Sequence, residues 1–232
     1  LMRSAGCIVN DILDREFDAK VFRTKDRPIA SGSISIKLAI FYALILCFLA
    51  FLVLLNFNFF TIFLALGSMP LAFTYPLMKR LTYWPQLFLG ITFNYGLILG
   101  WTAIKGQIDL VPFIFYLGAI FWTLGYDTIY GYQDIKDDEI IGLKSTSIKF
   151  KNKPLMFLIL CYSIFLISLF VVGFYLELGS IFYFILILTS VQMIHFQLKK
   201  LDIKNSLKCL SIFKTNNIVG LLVMIGLIGG KI

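Results

Sequence analysis

Long apolar runs limit what this chain can fold into more than any other feature of its sequence. A helix needs roughly 20 apolar residues to cross a bilayer core of about 30 Å, and the chain contains about seven runs of that length. Apolar and polar residues do not alternate as they do in a membrane barrel. Because 59% of the residues are hydrophobic and the mean hydropathy is +0.87, we expect an all-α, polytopic transmembrane helical bundle.

The expected spans follow from the limits of the apolar runs. They cover residues 36–55, 59–78, 84–104, 110–132, 155–176, 180–198 and 213–230, and residues 1–10 resemble the inner end of an eighth helix. The segment 199–214 is expected to be a basic loop. Connections this short predict a single membrane domain over residues 1–232.

The distribution of charge across these spans predicts an orientation. All 21 Lys and Arg residues except Lys105 and Lys231 fall on one side of the predicted bundle, which the positive-inside rule makes cytoplasmic. The net charge of +8 is therefore interpreted as a topology signal. We infer membrane lipid as a partner, and neither nucleic acid nor a partner protein.

Two acidic stretches lie on the predicted cytoplasmic side. In the first, NDILDREFD, Asn10, Asp14 and Asp18 recur every fourth residue. In the second, YDTIYGYQDIKDD, Asp134 and Asp138 repeat that spacing. Residues four apart share one face of a helix, so each stretch is predicted to present its carboxylates together.

The residue types in these stretches favour one kind of ligand. Carboxylates gathered at a membrane face must be protonated or neutralised by a cation. Oxygen ligands without His or Cys favour Mg²⁺, which is usually held by one or two carboxylates together with substrate phosphates. The two acidic faces are therefore predicted to hold Mg²⁺ with a bridging diphosphate, which the metal would make a better leaving group.

The cationic residues near the acidic stretches allow two interpretations. The loop 19–35 carries Lys20, Arg23, Lys25 and Arg27, which either serve only as topology signals or bind an anion. Lys79, four residues after Tyr75, either extends to the lipid headgroups or reaches into a site. In the stretch GLKST, Lys144, Ser145 and Thr146 either donate to phosphate or cap local structure.

Two long motifs carry a resemblance to a known family. MRSAGCIVNDILDREFDAKVFRTKDRPIASG and YDTIYGYQDIKDDEIIGLKST resemble the two signature regions of the UbiA family of intramembrane aromatic prenyltransferases, and YPLMKR between them fits as well. The resemblance implies a bundle of nine helices, of which this chain would lack the first one and a half. It also implies a bacterial inner (plasma) membrane enzyme with its active site toward the cytoplasm.

The resemblance further implies a reaction. It is the Mg²⁺-dependent transfer of a polyprenyl group from polyprenyl diphosphate to the ring carbon ortho to the hydroxyl of 4-hydroxybenzoate, a step of ubiquinone biosynthesis. Within the family, dihydroxynaphthoate or haem is the alternative acceptor, and the sequences GCIVND and GLKST favour hydroxybenzoate. From another class, a cation-coupled transporter would also bury aspartates, but near the bilayer midplane on broken helices.

The resemblance also assigns residues to roles. Catalysis and metal binding fall to Asp14, Asp18, Asp134 and Asp138, with Asn10 assisting. Substrate binding falls to Arg3 in the polar pocket and to the pair Tyr75 and Lys79. Further candidates for the same site are Asp127, Arg27, Lys144, Asp11 and Arg15.

Overall fold

A computed structural model describes residues 1–21 and 23–232 of the chain, and every regular element in these residues is helical. The α-helices are α1 (Met2–Leu13), α2 (Arg15–Asp18), α3 (Ile36–Leu54), α4 (Phe59–Gly67), α5 (Met69–Thr74), α6 (Met78–Leu81), α7 (Pro85–Lys105), α8 (Leu110–Gly131), α9 (Ile135–Ile140), α10 (Thr146–Lys149), α11 (Pro154–Tyr175), α12 (Ser180–Gln192), α13 (Ser206–Lys214) and α14 (Asn216–Gly229). A 3₁₀ turn, Tyr75–Leu77, precedes α6, and a π-helical segment, Met193–Leu198, follows α12.

Seven stretches of the described chain are long and apolar enough to span a membrane. They are Ile36–Leu54, Phe59–Leu81, Pro85–Lys105, Leu110–Gly131, Pro154–Tyr175, Ser180–Leu198 and Ser206–Gly229. The chain is therefore an integral, multi-pass membrane protein, and the predicted all-α transmembrane bundle is confirmed.

The second span is not the single helix that its apolar run predicts. It divides into α4, α5, the 3₁₀ turn and α6, because Pro70 and Pro76 lack the N–H that a continuous helix requires and stand near the start of α5 and of the 3₁₀ turn. Tyr75 therefore lies in the 3₁₀ turn and Lys79 in α6, on two different short elements at the end of the span.

The last span begins earlier than predicted. Residues 199–214 were expected to form a basic loop, but α13 begins at Ser206, where Asn205 Oδ1 accepts a hydrogen bond from Lys208 N at 3.0 Å. An N-cap of this kind offsets the lack of backbone partners in the first turn. The helix buries Cys209 and Ile212 while its lysines face outward, and an amphipathic helix of this kind has the same charged composition as a basic loop.

Helix α8 lies at the centre of the bundle, between α7 and α11. Asn94 on α7 donates to Thr123 Oγ1 on α8 at 2.8 Å, so Asn94 faces the bundle interior as an amide in a membrane span should. A Cβ on Gly90 would lie 2.9 Å from the Ile120 carbonyl oxygen, which shows how closely the two backbones approach. This packing fixes the end of α8 that carries the second acidic stretch.

Candidate functional site

A polar cavity of about 280 Å³ lies where the ends of α1, α8 and the second span meet. Of the residues that the sequence assigns to the site, those lining the cavity are Asn10, Asp14, Asp18, Arg27, Tyr75, Lys79, Asp127, Asp134, Asp138 and Lys144. Positions far apart in the sequence are thus brought together as predicted. Arg3, Asp11 and Arg15 are the assigned residues that do not line it.

The first acidic stretch bends at its central aspartate. We predicted one continuous helix, but α1 ends at Leu13 and α2 begins at Arg15, with Asp14 between them at φ −95° and ψ 0°. Asp14 N still donates to Asn10 O at 2.9 Å, and Asp18 N donates to Asp14 O at 2.8 Å. The four-residue spacing therefore survives the bend, and all three polar side chains line one cavity.

The second acidic stretch is also interrupted. Helix α8 ends at Gly131 and α9 begins at Ile135, so Asp134 occupies the N-cap of α9 while Asp127 remains on α8. Asp138 N donates to Asp134 O at 2.9 Å, which again preserves the spacing. The predicted single helix is thus wrong, but the carboxylates still face one cavity.

Asp14 is the most deeply buried carboxylate of the two motifs, with 2% of its surface exposed. Lys79 Nζ lies 2.5 Å from Asp14 Oδ2, and Arg80 Nη2 lies 3.8 Å from Oδ1. Asp14 Oδ1 is buried and accepts no hydrogen bond from the described residues. Burial raises the pKa of Asp14 despite the opposing charge of Lys79, so this carboxylate favours a further cation.

The loop after α2 contributes two arginines to the cavity. Arg23 Nε lies 3.0 Å from Asp134 Oδ1, and Arg23 Nη1 donates to the Tyr130 hydroxyl at 2.9 Å. The hydrogen bond to Asp134 raises the pKa of Arg23. Arg27 Nη1 donates to Asp18 Oδ2 at 3.0 Å and to Asp11 Oδ1 at 2.9 Å. Arg27 therefore lines the cavity beside two carboxylates of the first acidic stretch.

Three residues of this site had no individual role in the prediction from the sequence. Arg23 and Tyr130 belong to it through their contacts with Asp134 and with each other, and Gln86 lines the same cavity. The only signal for Arg23 was its place in a run of four cations. Nothing in that run distinguishes the cation that faces inward.

Asp138 differs from the other motif carboxylates. It forms no ion pair with any described residue. Burial, and next the charge of Asp134, raise the pKa of Asp138 to about 6. An ionised Asp138 is thus costly until a cation approaches it.

These residues fit Mg²⁺ that arrives with a phosphate group. Within residues 1–21 and 23–232, no three His, Cys, Asp or Glu side chains lie close enough to hold a metal ion by themselves. Asp14 Oδ1, which accepts no hydrogen bond from the described residues, and the Asp138 carboxylate would nevertheless supply hard oxygen ligands. Mg²⁺ characteristically uses one or two carboxylates and takes its remaining ligands from phosphate and water.

The GLKST segment separates into structural and cavity-lining parts. Ser145 Oγ accepts from Ile148 N at 3.2 Å and caps α10, and the buried Thr146 hydroxyl lies 2.6 Å from that of Thr128. Ser145 thus caps α10 and also lines the cavity, while Thr146 forms a buried contact between helices. Lys144 lines the cavity and donates from Nζ to Leu81 O at 3.2 Å.

Arg3 lies at a second, apolar cavity of about 410 Å³. Its guanidinium carbon is 5.5 Å from the centroid of the Phe93 ring, a cation–π distance. Tyr75 lines both cavities, so the two are neighbours across its side chain.

Comparison with known proteins gives consistent results. A family described as "UbiA prenyltransferase family" matches residues 1–218. The chain is 43% identical over 233 residues to a Bos taurus protein named 4-hydroxybenzoate polyprenyltransferase, mitochondrial, and covers 100% of itself and 62% of that relative. It is 40% identical over 227 residues to a 4-hydroxybenzoate octaprenyltransferase of Francisella tularensis subsp. novicida, covering 97% of itself and 79% of the relative.

Solved structures share the fold. A UbiA homologue from Aeropyrum pernix K1, in its apo form, superposes with a TM-score of 0.75 at 22% identity, over 97% of this chain and 86% of that one. A UbiA homologue from Archaeoglobus fulgidus, bound to GPP and Mg²⁺, gives 0.73 at 17% identity, over 99% and 83%. At these identities the likeness concerns the fold alone.

Proposed function

Because the chain belongs to the UbiA prenyltransferase family, we propose that it transfers a polyprenyl group from polyprenyl diphosphate to the ring carbon ortho to the hydroxyl of 4-hydroxybenzoate. The names of its relatives support this acceptor. The chain spans about 62% of the length of the bovine relative, so the activity is assigned here as a proposal. In this reading residues 1–232 act as one membrane-embedded catalytic domain.

The observation that carries the proposal is the convergence of two acidic motifs and several cations on one cavity. Asp14, Asp18, Asp134 and Asp138 would hold Mg²⁺, with Asn10 assisting from the first motif. When bound, Mg²⁺ neutralises charge on the departing diphosphate. The remaining diphosphate charge would be met by Lys79, Arg23, Arg27 and Lys144, which line the same cavity.

The neighbouring apolar cavity suits the lipid part of the donor. Tyr75 separates it from the polar cavity, so a diphosphate bound in the polar cavity would direct its prenyl chain past this ring. Phe93 and Tyr95 line the apolar cavity as well. Aromatic faces attract cations, which would favour charge developing on an allylic carbon as the diphosphate leaves.

We assign Asp127 to binding of the aromatic acceptor. It lines the polar cavity from α8, inside the span, and forms no ion pair with a described residue. A carboxylate there can accept the hydrogen bond of a phenolic hydroxyl. Arg3, at the apolar cavity and close to Tyr75, is kept as a substrate-binding candidate for the acid or the diphosphate.

An assay of membranes containing the chain tests the proposal. The reaction mixture holds polyprenyl diphosphate, Mg²⁺ and either 4-hydroxybenzoate or dihydroxynaphthoate, and prenylated products are separated and identified by mass. Product from 4-hydroxybenzoate alone, dependent on Mg²⁺ and lost in Asp134→Ala, is the expected result. If product forms from dihydroxynaphthoate alone, that compound is the acceptor. If activity survives in Asp134→Ala, Asp134 does not bind an essential metal ion.

The proposed orientation places the polar cavity at the cytoplasmic face of a bacterial inner membrane. The basic residues around the cavity support it through the positive-inside rule, although one relative is named as mitochondrial. In a Cys7→Ser background, an impermeant maleimide should label Glu177→Cys from outside intact spheroplasts and should leave Lys204→Cys unlabelled. The reverse pattern would invert the topology.

A further inference from the structure

A third cavity lies on the lipid-facing side of the bundle, away from the site described above. It is an apolar groove of about 450 Å³ between α11 and the π-helical segment. Leu155 and Leu166 on α11 line it, and these residues are about 16 Å apart along the helix at 1.5 Å per residue. That length matches about half of a bilayer core of roughly 30 Å, which is one leaflet.

The π-helical segment places a charged residue at the end of this groove. Ile194 and Lys199 both line the groove although they are five residues apart. In a regular α-helix, residues five apart would point about 140° away from each other. Here Lys199 N donates to Ile194 O at 3.0 Å, the five-residue hydrogen bond of a π-helix, so both side chains reach the same face.

The polar end of the groove carries lysines that no described carboxylate pairs with. Lys199 Nζ lies 3.4 Å from His195 Nδ1, and Lys153 is the N-cap residue of α11, two residues before the groove residue Leu155. Neither lysine forms an ion pair with a carboxylate in the part of the chain that the structure describes. By contrast, the nearby Lys151 is paired with Glu139 at 2.6 Å.

We propose that this groove binds one anionic phospholipid from the leaflet at the polar-cavity end of the bundle. An acyl chain would fill the apolar groove over the depth of the leaflet. The phosphate would be held by Lys199, with His195 and Lys153 close by. Basic pockets between transmembrane helices are the usual sites of anionic headgroups, and the lateral opening lets a lipid enter without leaving the membrane. The proposal does not depend on the catalytic function.

Native mass spectrometry of the purified chain in detergent tests this site. The chain is equilibrated with phosphatidylglycerol or with phosphatidylcholine of the same acyl chains, and the retained lipid is counted. We expect one phosphatidylglycerol retained in preference to phosphatidylcholine. Lys199→Gln should lower that retention about fivefold, as loss of one lysine near an anionic surface predicts. Lys204→Gln, an exposed lysine outside the groove, is the matched control and should not change it.

Two further arms separate the lipid from other ligands. Ser163→Trp, which places a large ring on the groove wall, should lower lipid retention even though Lys199 is intact. Glycerol 3-phosphate should not displace the lipid, because it lacks the acyl chain. Equal retention of the two lipids, equal retention by wild type and Lys199→Gln, or displacement by glycerol 3-phosphate would each overturn the proposal.

Discussion

The charge state of Asp138 provides a quantitative test of the site. Its pKa of about 6, raised first by burial and then by Asp134, compares with an ordinary value of 3.8. At 1.36 kcal/mol for each pKa unit, ionising this carboxyl destabilises the folded chain by about 3 kcal/mol. Because the folded pKa is the higher one, the contribution of Asp138 to stability is most favourable below pH 4, falls as the pH rises from 4 to 6, and carries the full penalty above 6.

Asp138→Asn removes this titration. The variant should match wild type near pH 4 and unfold at a higher temperature above pH 6, by about 6 to 12 °C if roughly 2 to 4 °C correspond to each kcal/mol in a chain of this size. The assay is thermal unfolding of the detergent-solubilised protein across pH 4 to 8. The same variant should lose prenyl transfer, so that stability and activity change in opposite directions.

Asp137→Asn is the matched control for Asp138→Asn. Asp137 is its direct neighbour on α9 and does not line the cavity, and its charge contributes to the raised pKa of Asp138 only after burial and Asp134, so its replacement should leave most of the pH dependence of unfolding in place. A stability difference between wild type and Asp138→Asn that stays constant from pH 4 to 8 would refute the assigned cause. So would a variant less stable than wild type at pH 7.

Three other predictions address the contacts around the cavity. Asp14→Asn should reduce prenyl transfer by about a hundredfold or more and should also lower the unfolding temperature, because it leaves Lys79 without its buried partner; an unchanged unfolding temperature would contradict this. Arg23→Gln should raise the KM for polyprenyl diphosphate while Tyr130→Phe changes it little, as measured by initial rates at saturating acceptor; equal effects would show that Arg23 acts only through Tyr130. Thr128→Val should lower the free energy of unfolding by about 1 to 3 kcal/mol, because the buried Thr146 hydroxyl loses its partner. No change in calorimetry would show that this contact does not stabilise the fold.

The bundle could be predicted from the sequence because hydrophobicity and length determine it almost alone. A run of about 20 apolar residues has few other solutions in a membrane, and all seven spans are present. The misplaced start of the last span has a local cause. Lys208 and Lys214 resemble loop residues in composition, whereas in the structure they lie on the outer face of a helix capped by Asn205.

The residues of the polar cavity were predictable as a set, but their contacts were not. Regular spacing identified Asp14, Asp134 and Asp138, since backbone hydrogen bonds between residues four apart persist through both helix breaks. Arg23 meets Asp134 across 111 residues. That distance is closed by the folding of the loop after α2, which no local pattern encodes. Arg3 was likewise assigned to the polar pocket, while the structure places it beside Phe93 at the apolar cavity.

The ion pairs around the cavity suggest how one set of side chains can serve two states, if the proposed function holds. Breaking a buried ion pair by removing one partner costs about 3 to 5 kcal/mol, so Lys79 cannot leave the buried Asp14 for a diphosphate unless another cation replaces it. The same holds for Arg23 and Asp134, which are less buried. Mg²⁺ bound to Asp14 and Asp134 would release Lys79 and Arg23, which could then bind the diphosphate. Metal and diphosphate should therefore each bind weakly alone and tightly together, because each supplies the charge that the other displaces.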